Sequence, residues 1–345
     1  MMKWYFFFVA YYFISMAWGN LDDGLYYVNN FAQIIGLSIF FTQHVKSEQD
    51  MLDYYKIIVL SLVVTAGVII SRAPVSSWGS SRLGRELALN ANAVGIRFAL
   101  GSVLALFFSS QKKYYYFPLF LFGAITLFSG SRTALVILVG SIMAYFTFKN
   151  KGFKTLRNII IIGIIVTVIF YIVFHVPALY DTIGRRLIIY WNTANGEQTI
   201  VNGNVRFDNS ALERAYYRQY ALQMILSSPI FGHGANSFVT EMRRIGYSHI
   251  AYSHNTYTEI LATLGFVGGV LYFTPQIITL ISKTKKVIRD HNPYNAMCFS
   301  LIFVILLAQW QTITYIDPIE QSFIMLIVLS TVNLGDGLTE LSEHV

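Results

Sequence analysis

Runs of apolar residues recur along almost the whole chain, and they constrain its fold more than any other feature. A helix of about 20 apolar residues crosses the roughly 30 Å hydrocarbon core of a bilayer, where every backbone polar group must be satisfied within the protein. Ten such runs are read, at about 4–18, 27–43, 54–71, 92–110, 114–130, 132–148, 158–176, 254–281, 295–313 and 319–335. Charged residues are 12% of the 345 and hydrophobic residues 55%, whereas soluble domains carry about 25% charged. The expectation is an all-α integral membrane protein with about ten transmembrane helices. Spans 114–130 and 132–148 lie close enough to form one bent helix. The first span lacks the basic start and cleavage site of a secretory signal, and Trp4, Tyr5, Tyr11, Tyr12 and Trp18 suit interfacial anchors. Cys298 is the single cysteine, which excludes a disulfide framework or a cysteine metal site within one chain.

One stretch departs from this pattern. Residues 177–253 are polar and too long for a simple connection, and loops of that length are functional or have structure of their own. The chain therefore divides into N-terminal helices (1–176), a large, partly helical extracytoplasmic loop (177–253), C-terminal helices (254–335) and a cytoplasmic tail (336–345). Within the loop, Leu212 to Leu226 has helical apolar spacing and suits an amphipathic helix at the membrane surface. Ser227-Ser228-Pro229 stops it, and Gly232-His233-Gly234 makes a tight turn.

The net charge of +7 would suggest nucleic acid in a soluble protein, but here its distribution decides. With the N-terminus in the cytoplasm and ten alternating spans, Lys3, Lys46, Lys56, Lys112, Lys113, Lys149, Lys151, Lys154, Lys283, Lys285 and Lys286 all fall on the inner side. That is the positive-inside pattern, and it puts both termini in the cytoplasm. The arginines do the opposite: only Arg157 and Arg289 lie inside. A guanidinium grips phosphate through two parallel hydrogen bonds, which an ammonium cannot do. Arginine gathered on the outer face therefore indicates an anionic, phosphorylated ligand there. The competing explanations are loop solubility and pairing with lipid phosphates.

Four constellations lie on that face. Arg82-Leu83-Gly84-Arg85 precedes Asn90-Ala91-Asn92, and Ser129-Gly130-Ser131-Arg132-Thr133 puts a charge between two spans. An arginine at a membrane helix centre costs about 2.5–3.5 kcal/mol on insertion scales, so Arg132 either has a role or snorkels to headgroups. Glu213-Arg214 and Arg218 follow, the two arginines on one helix face. His254-Asn255 opens the eighth span, with Gly265, Gly268 and Gly269 read as close-packing glycines. His254 titrates near neutral pH at the end of the arginine-rich loop; a lone histidine is also commonly a satisfied polar residue.

Three of these blocks in order carry a resemblance. Ser129-Gly130-Ser131-Arg132-Thr133 is followed by Glu213-Arg214, then Ser228-Pro229-Ile230-Phe231-Gly232-His233-Gly234-Ala235-Asn236-Ser237-Phe238, then His254-Asn255-Thr256-Tyr257 and Gly265-Phe266-Val267-Gly268. Over roughly 80 to 280 this resembles the O-antigen ligase and O-antigen polymerase family of bacterial membrane glycosyltransferases. The resemblance implies a membrane glycosyltransferase C-like fold and a glycan donor carried on a polyprenyl diphosphate at the outer face of the inner membrane. It implies that His254 acts on the acceptor hydroxyl and that Arg132 and Arg214 bind the departing diphosphate, with no metal and no cofactor. Arg82 and Arg85 match more loosely, Arg218 and His233 are inferred from position, and Asn255, Tyr257 and His233 are the candidates for orienting the acceptor. Members often have more spans, so ten suggests a shortened N-terminal part.

The reading that follows is a polysaccharide polymerase, metal-independent and inverting, that extends one lipid-linked repeat with another. A ligase acting on a lipid A core or protein acceptor shares the donor half. A transporter with an arginine-lined vestibule is the reading from another class; it would favour internal repeats and mid-span charge, neither of which the sequence provides. Partners would be the lipid-linked oligosaccharide, membrane lipid, a chain-length regulator and a flippase; no nucleic acid is expected.

Overall fold

The computed structural model describes residues 2–73, 78, 83, 90–201, 204–247 and 252–331. In order, the elements are α1 (Lys3–Ile14), α2 (Leu21–Leu25), α3 (Val28–His44), α4 (Glu48–Arg72), α5 (Ala91–Ser109), α6 (Tyr116–Phe128), α7 (Arg132–Lys149), α8 (Phe153–His175) and α9 (Pro177–Leu179). There follow α10 (Arg185–Ala194), β1 (Thr199–Val201), β2 (Asn204–Arg206), α11 (Asn209–Ser227), α12 (Ser237–Arg244), α13 (Thr256–Asp290), α14 (Pro293–Ala308) and α15 (Pro318–Leu329).

The chain is an α-helical membrane protein. Five helices among the described residues, α4, α5, α7, α8 and α13, are long and apolar enough to cross a bilayer. The other expected spans correspond to shorter helices: α1 and α15 have 12 residues each, α6 has 13, α14 has 16 and α3 has 17. At about 1.5 Å per residue these rise less than the hydrocarbon thickness. Spans 114–130 and 132–148 are two helices, not one bent one. Gly130 adopts φ 64° between them, a left-handed conformation that glycine enters without penalty. Residues 177–253 hold α9 to α12 and a small antiparallel hairpin pairing Thr199 with Arg206 and Ile200 with Val205. The helix expected over 212–226 is α11, but it is not cleanly amphipathic: Tyr217, Ala221 and Met224 are buried while Leu212, Leu222 and Leu226 are exposed.

Two compact units emerge, neither continuous in sequence: Met1–Leu52 with Leu212–Ser282 and Ile305–Val345, and Asp53–Ala211 with Lys283–Val304. In the second, α5 is the central helix, with α6 and α7 packed on it. A Cβ on Gly95 would stand 2.5 Å from Ser129 Oγ and 2.7 Å from Ala134 Cβ, so only glycine lets α5 approach the α6–α7 turn this closely. In contrast, α8 is mostly exposed, with Ile162 and Val173 its buried residues. Its outer residues, such as Ile164 (58% exposed) and Tyr171 (63% exposed), face what in a membrane is lipid.

In the first unit, α15 is buried almost throughout and packs against α3. Asn30 donates to the Ile316 carbonyl at 2.7 Å. Aromatic rings join α1 to α13 and to α3: Phe8 lies 5.0 Å from Tyr272, and Tyr12 lies 4.3 Å from Phe31.

Candidate active site

In the second unit, Ser129-Gly130-Ser131-Arg132 is a helix junction built to present Arg132. Ser129 Oγ donates to the Thr126 carbonyl (2.7 Å) and accepts from the Ser131 amide (3.2 Å), and Ser131 caps α7 by accepting from the Ala134 amide (3.2 Å). Arg132 is then the first residue of α7. A cation there opposes the positive end of the helix dipole, and Asp208 offsets it: Arg132 Nη1 lies 2.6 Å from Asp208 Oδ2. The guanidinium also lies 4.3 Å from the centre of the Tyr190 ring. Burial raises the Asp208 pKa, but hydrogen bonds from Ser210, Arg132 and the Ala211 amide, with the Arg132 charge, more than offset it and the net shift is downward. Asp208 is therefore a carboxylate at neutral pH. Asp208 stands 76 residues from its partner and belongs to no motif, so no local pattern marks it. Arg82 and Arg85 lie outside the described residues.

In the first unit, His254, expected to open the helix, sits in the loop two residues before the start of α13. Its φ is 56°, an uncommon conformation for a residue with a side chain. The surrounding contacts hold it there. Ser253 donates its amide to Glu259 Oε2 at 2.7 Å and its hydroxyl to the Asn255 carbonyl at 2.9 Å. Asn255 Oδ1 caps α13, accepting from the amides of Tyr257 (2.9 Å) and Thr258 (3.2 Å). Thr256 donates its amide to the Gln309 carbonyl (2.8 Å) and its hydroxyl to that of Thr312 (2.7 Å). A strained backbone that its neighbours over-determine is characteristic of functional sites.

The His254 ring lies between two tyrosines. Tyr252 is 4.3 Å away, centre to centre, and Tyr217 of α11 lies nearly parallel at 6.3 Å. Burial, reinforced by the Arg214 charge, lowers the His254 pKa from 6.5 to about 4. The imidazole is consequently neutral at physiological pH and able to accept a proton. Arg214 and Arg218 are half-buried on one face of α11. Burial raises Tyr252, although Arg214 acts against that shift.

The other expected residues are held in place structurally. Tyr257 donates its hydroxyl to the Leu306 carbonyl (2.8 Å) and stacks on Phe273 at 4.8 Å. His233 places Nε2 3.0 Å from the Met224 carbonyl and 2.9 Å from Ser227 Oγ, closing the turn that leaves α11. Gly265 is not a packing glycine inside a continuous helix. It breaks α13 with φ 64° and ψ −166°, and the backbone of Pro229 to Gly234 crosses at that break. His233 and Gly234 donate amides to the carbonyls of Ala262 and Thr263, and Phe266 and Val267 donate theirs to Pro229 and Ile230. A Cβ on Gly265 would lie 2.3 Å from the Ile230 carbonyl oxygen, and one on Gly232 2.3 Å from that of Thr263. This crossing fixes the first two turns of α13, and with them the His254 loop, against the end of α11.

A family description, O-antigen ligase, matches residues 117–273. That span opens in α6, contains Arg132, Arg214 and His254, and ends just beyond the break in α13. Residues 117–273 are thus similar to the O-antigen ligase family. No curated protein matches the chain. That similarity supports glycosyltransferase activity of the ligase or polymerase type in general.

Proposed function

We propose that the protein is a polysaccharide polymerase, transferring a glycan from a polyprenyl diphosphate carrier to the terminal sugar hydroxyl of another lipid-linked repeat at the outer face of the inner membrane. The observation that carries this is an imidazole kept neutral by burial and by Arg214, in a strained loop of the O-antigen ligase domain. His254 takes the proton of the acceptor hydroxyl as its oxygen attacks the anomeric carbon. The bond from that carbon to the carrier phosphate breaks, its electron pair leaves with the diphosphate, and the configuration inverts. Arg214 stabilises the charge that develops on the leaving group, a task a preorganised guanidinium performs well in a water-poor site. A histidine with a low pKa is a weak base in water, yet it is fully in its accepting form at neutral pH. Tyr217 and Tyr252 border the ring with flat faces on which a sugar can stack. Asn255 and Tyr257 serve through the loop that holds His254.

The same donor half would serve a ligase whose acceptor is a lipid A core sugar or a protein side chain. The surface glycans of a deletion strain separate the two. Single repeats on the final acceptor mean that a polymerase has been lost; long chains left on the carrier mean a ligase. His254→Ala and Arg214→Ala are each expected to abolish long polysaccharide while the protein still inserts in the membrane. Normal chain length in either variant removes that residue from the mechanism.

A further inference from the structure

Away from His254, the first unit continues as a row of tyrosine rings on α11 and α12. Tyr217, Ala221 and Met224 recur at helical spacing and enter a core with Phe238 and Met242. Tyr216 and Tyr220, also one turn apart, stand beside that buried stripe with their ring centres 6.4 Å apart. Tyr216 keeps 42% of its surface exposed. From the imidazole the ring centres step 6.3 Å to Tyr217, 5.5 Å on to Tyr247 and 6.1 Å on to Tyr216. Beside these rings is a fixed carboxylate. Glu241 Oε2 accepts from the Tyr220 hydroxyl at 3.1 Å and from Arg244 Nε and Nη2 at 2.9 and 2.8 Å. All three bonds fall on one oxygen, so Oε1 remains an acceptor on a carboxylate that is already oriented. An ion pair with its arginine 70% exposed adds little to stability, so holding the fold is a weak use for it.

We propose that Tyr216, Tyr220 and Tyr247 with Glu241 form a subsite for an uncharged sugar of the glycan, beyond the unit that reacts at His254. That the ligand is a glycan rests on the transfer proposed above. The side chains match a pyranose: flat apolar faces for its C–H side, and a carboxylate to accept from its hydroxyls. Charge argues against an anion here. In the last turn of α12, Arg244 is paired with Glu241 and Arg243 with Asp23, so these two guanidinium groups bring no surplus positive charge. Continuity with the imidazole through Tyr217 argues against an unrelated ligand. A chain seated on this row holds its reacting end at His254 while its earlier sugars rest on α11 and α12.

The test measures binding and requires no transfer. A two-repeat oligosaccharide, released by mild acid from the source bacterium's own surface polysaccharide, is titrated calorimetrically into the full-length protein in detergent micelles. Glu241→Gln removes the charge at unchanged size and should weaken binding about tenfold, the loss of one charge-assisted contact. Tyr216→Leu should weaken it about fivefold, the loss of one stacking face. Tyr216→Phe keeps the face and should bind as the unaltered protein does. Unchanged binding in Glu241→Gln or in Tyr216→Leu overturns the proposal, and so does an unaltered protein that binds no oligosaccharide. A membrane-interface belt, another use of exposed tyrosines, predicts unchanged binding in both variants. Inorganic phosphate should not compete; competition would make this an anion site and also overturns the proposal. Oligosaccharide binding without transfer in the unaltered protein would remove the polymerase and keep the subsite. Transfer by the unaltered protein, with full affinity in both variants, would do the reverse.

Discussion

Lowering the pH tests the environment of His254 directly. An imidazole with the ordinary pKa of 6.5 would be only about 9% neutral at pH 5.5, whereas one at about 4 would be about 97% neutral. The group must be neutral to accept a proton, so activity is present above its folded pKa and lost as pH falls through it. The acid limb of kcat/KM for the purified enzyme should therefore lie near pH 4, with nearly full activity retained at pH 5.5. Burial is the larger cause and Arg214 the smaller. Arg214→Gln should accordingly move the titration upward but leave it below 6.5. That variant loses activity for its own reasons, so its titration is followed by diethyl pyrocarbonate labelling, which reads the neutral imidazole and is referenced to His254→Ala. An acid limb or labelling midpoint at 6.5 or above in the unaltered protein would refute the claim that burial keeps this base neutral.

Further predictions concern the scaffold of the same loop. Gly265→Ala places a methyl 2.3 Å from the Ile230 carbonyl at a positive φ; it should destabilise the protein by about 2 kcal/mol or more, seen as a lower Tm in detergent and a lower yield. Tyr257→Phe removes one hydroxyl bonded to Leu306 and should cost about 1 kcal/mol of stability with kcat within about twofold of the original; a large kcat loss at unchanged Tm would make that hydroxyl part of the chemistry. Glu259→Gln retains an acceptor for the Ser253 amide, whereas Glu259→Ala does not. The first should keep most activity and the second lose about tenfold, measured as initial rates on the same donor.

The membrane helices were legible because a long apolar run has few alternatives, and Ser131 ahead of Arg132 is a recognisable helix cap. The hairpin of β1 and β2 was not read from the sequence, since three-residue strands inside a polar loop leave little alternating pattern. Gly265 was visible but its cause was not. A packing glycine and a helix-breaking glycine have the same local pattern, and only the backbone of Gly232, far away in sequence, decides between them. Asp208 was hidden for the same reason, its partner being supplied by tertiary structure. Tyr257 and His233 show a further limit, since the sequence places a polar group near a motif but not the direction in which it donates.

The most direct measurement supplies purified protein with synthetic polyprenyl-diphosphate-linked repeats in micelles, without a membrane gradient, and follows the products by mass spectrometry. A ladder of extended lipid-linked glycan, with free carrier diphosphate released at each step, is the predicted result, and His254→Ala at the same Tm should give none. An equal ladder from His254→Ala, or intact donor after incubation with the unaltered enzyme and every candidate acceptor, would contradict a histidine-dependent transfer from a diphosphate carrier.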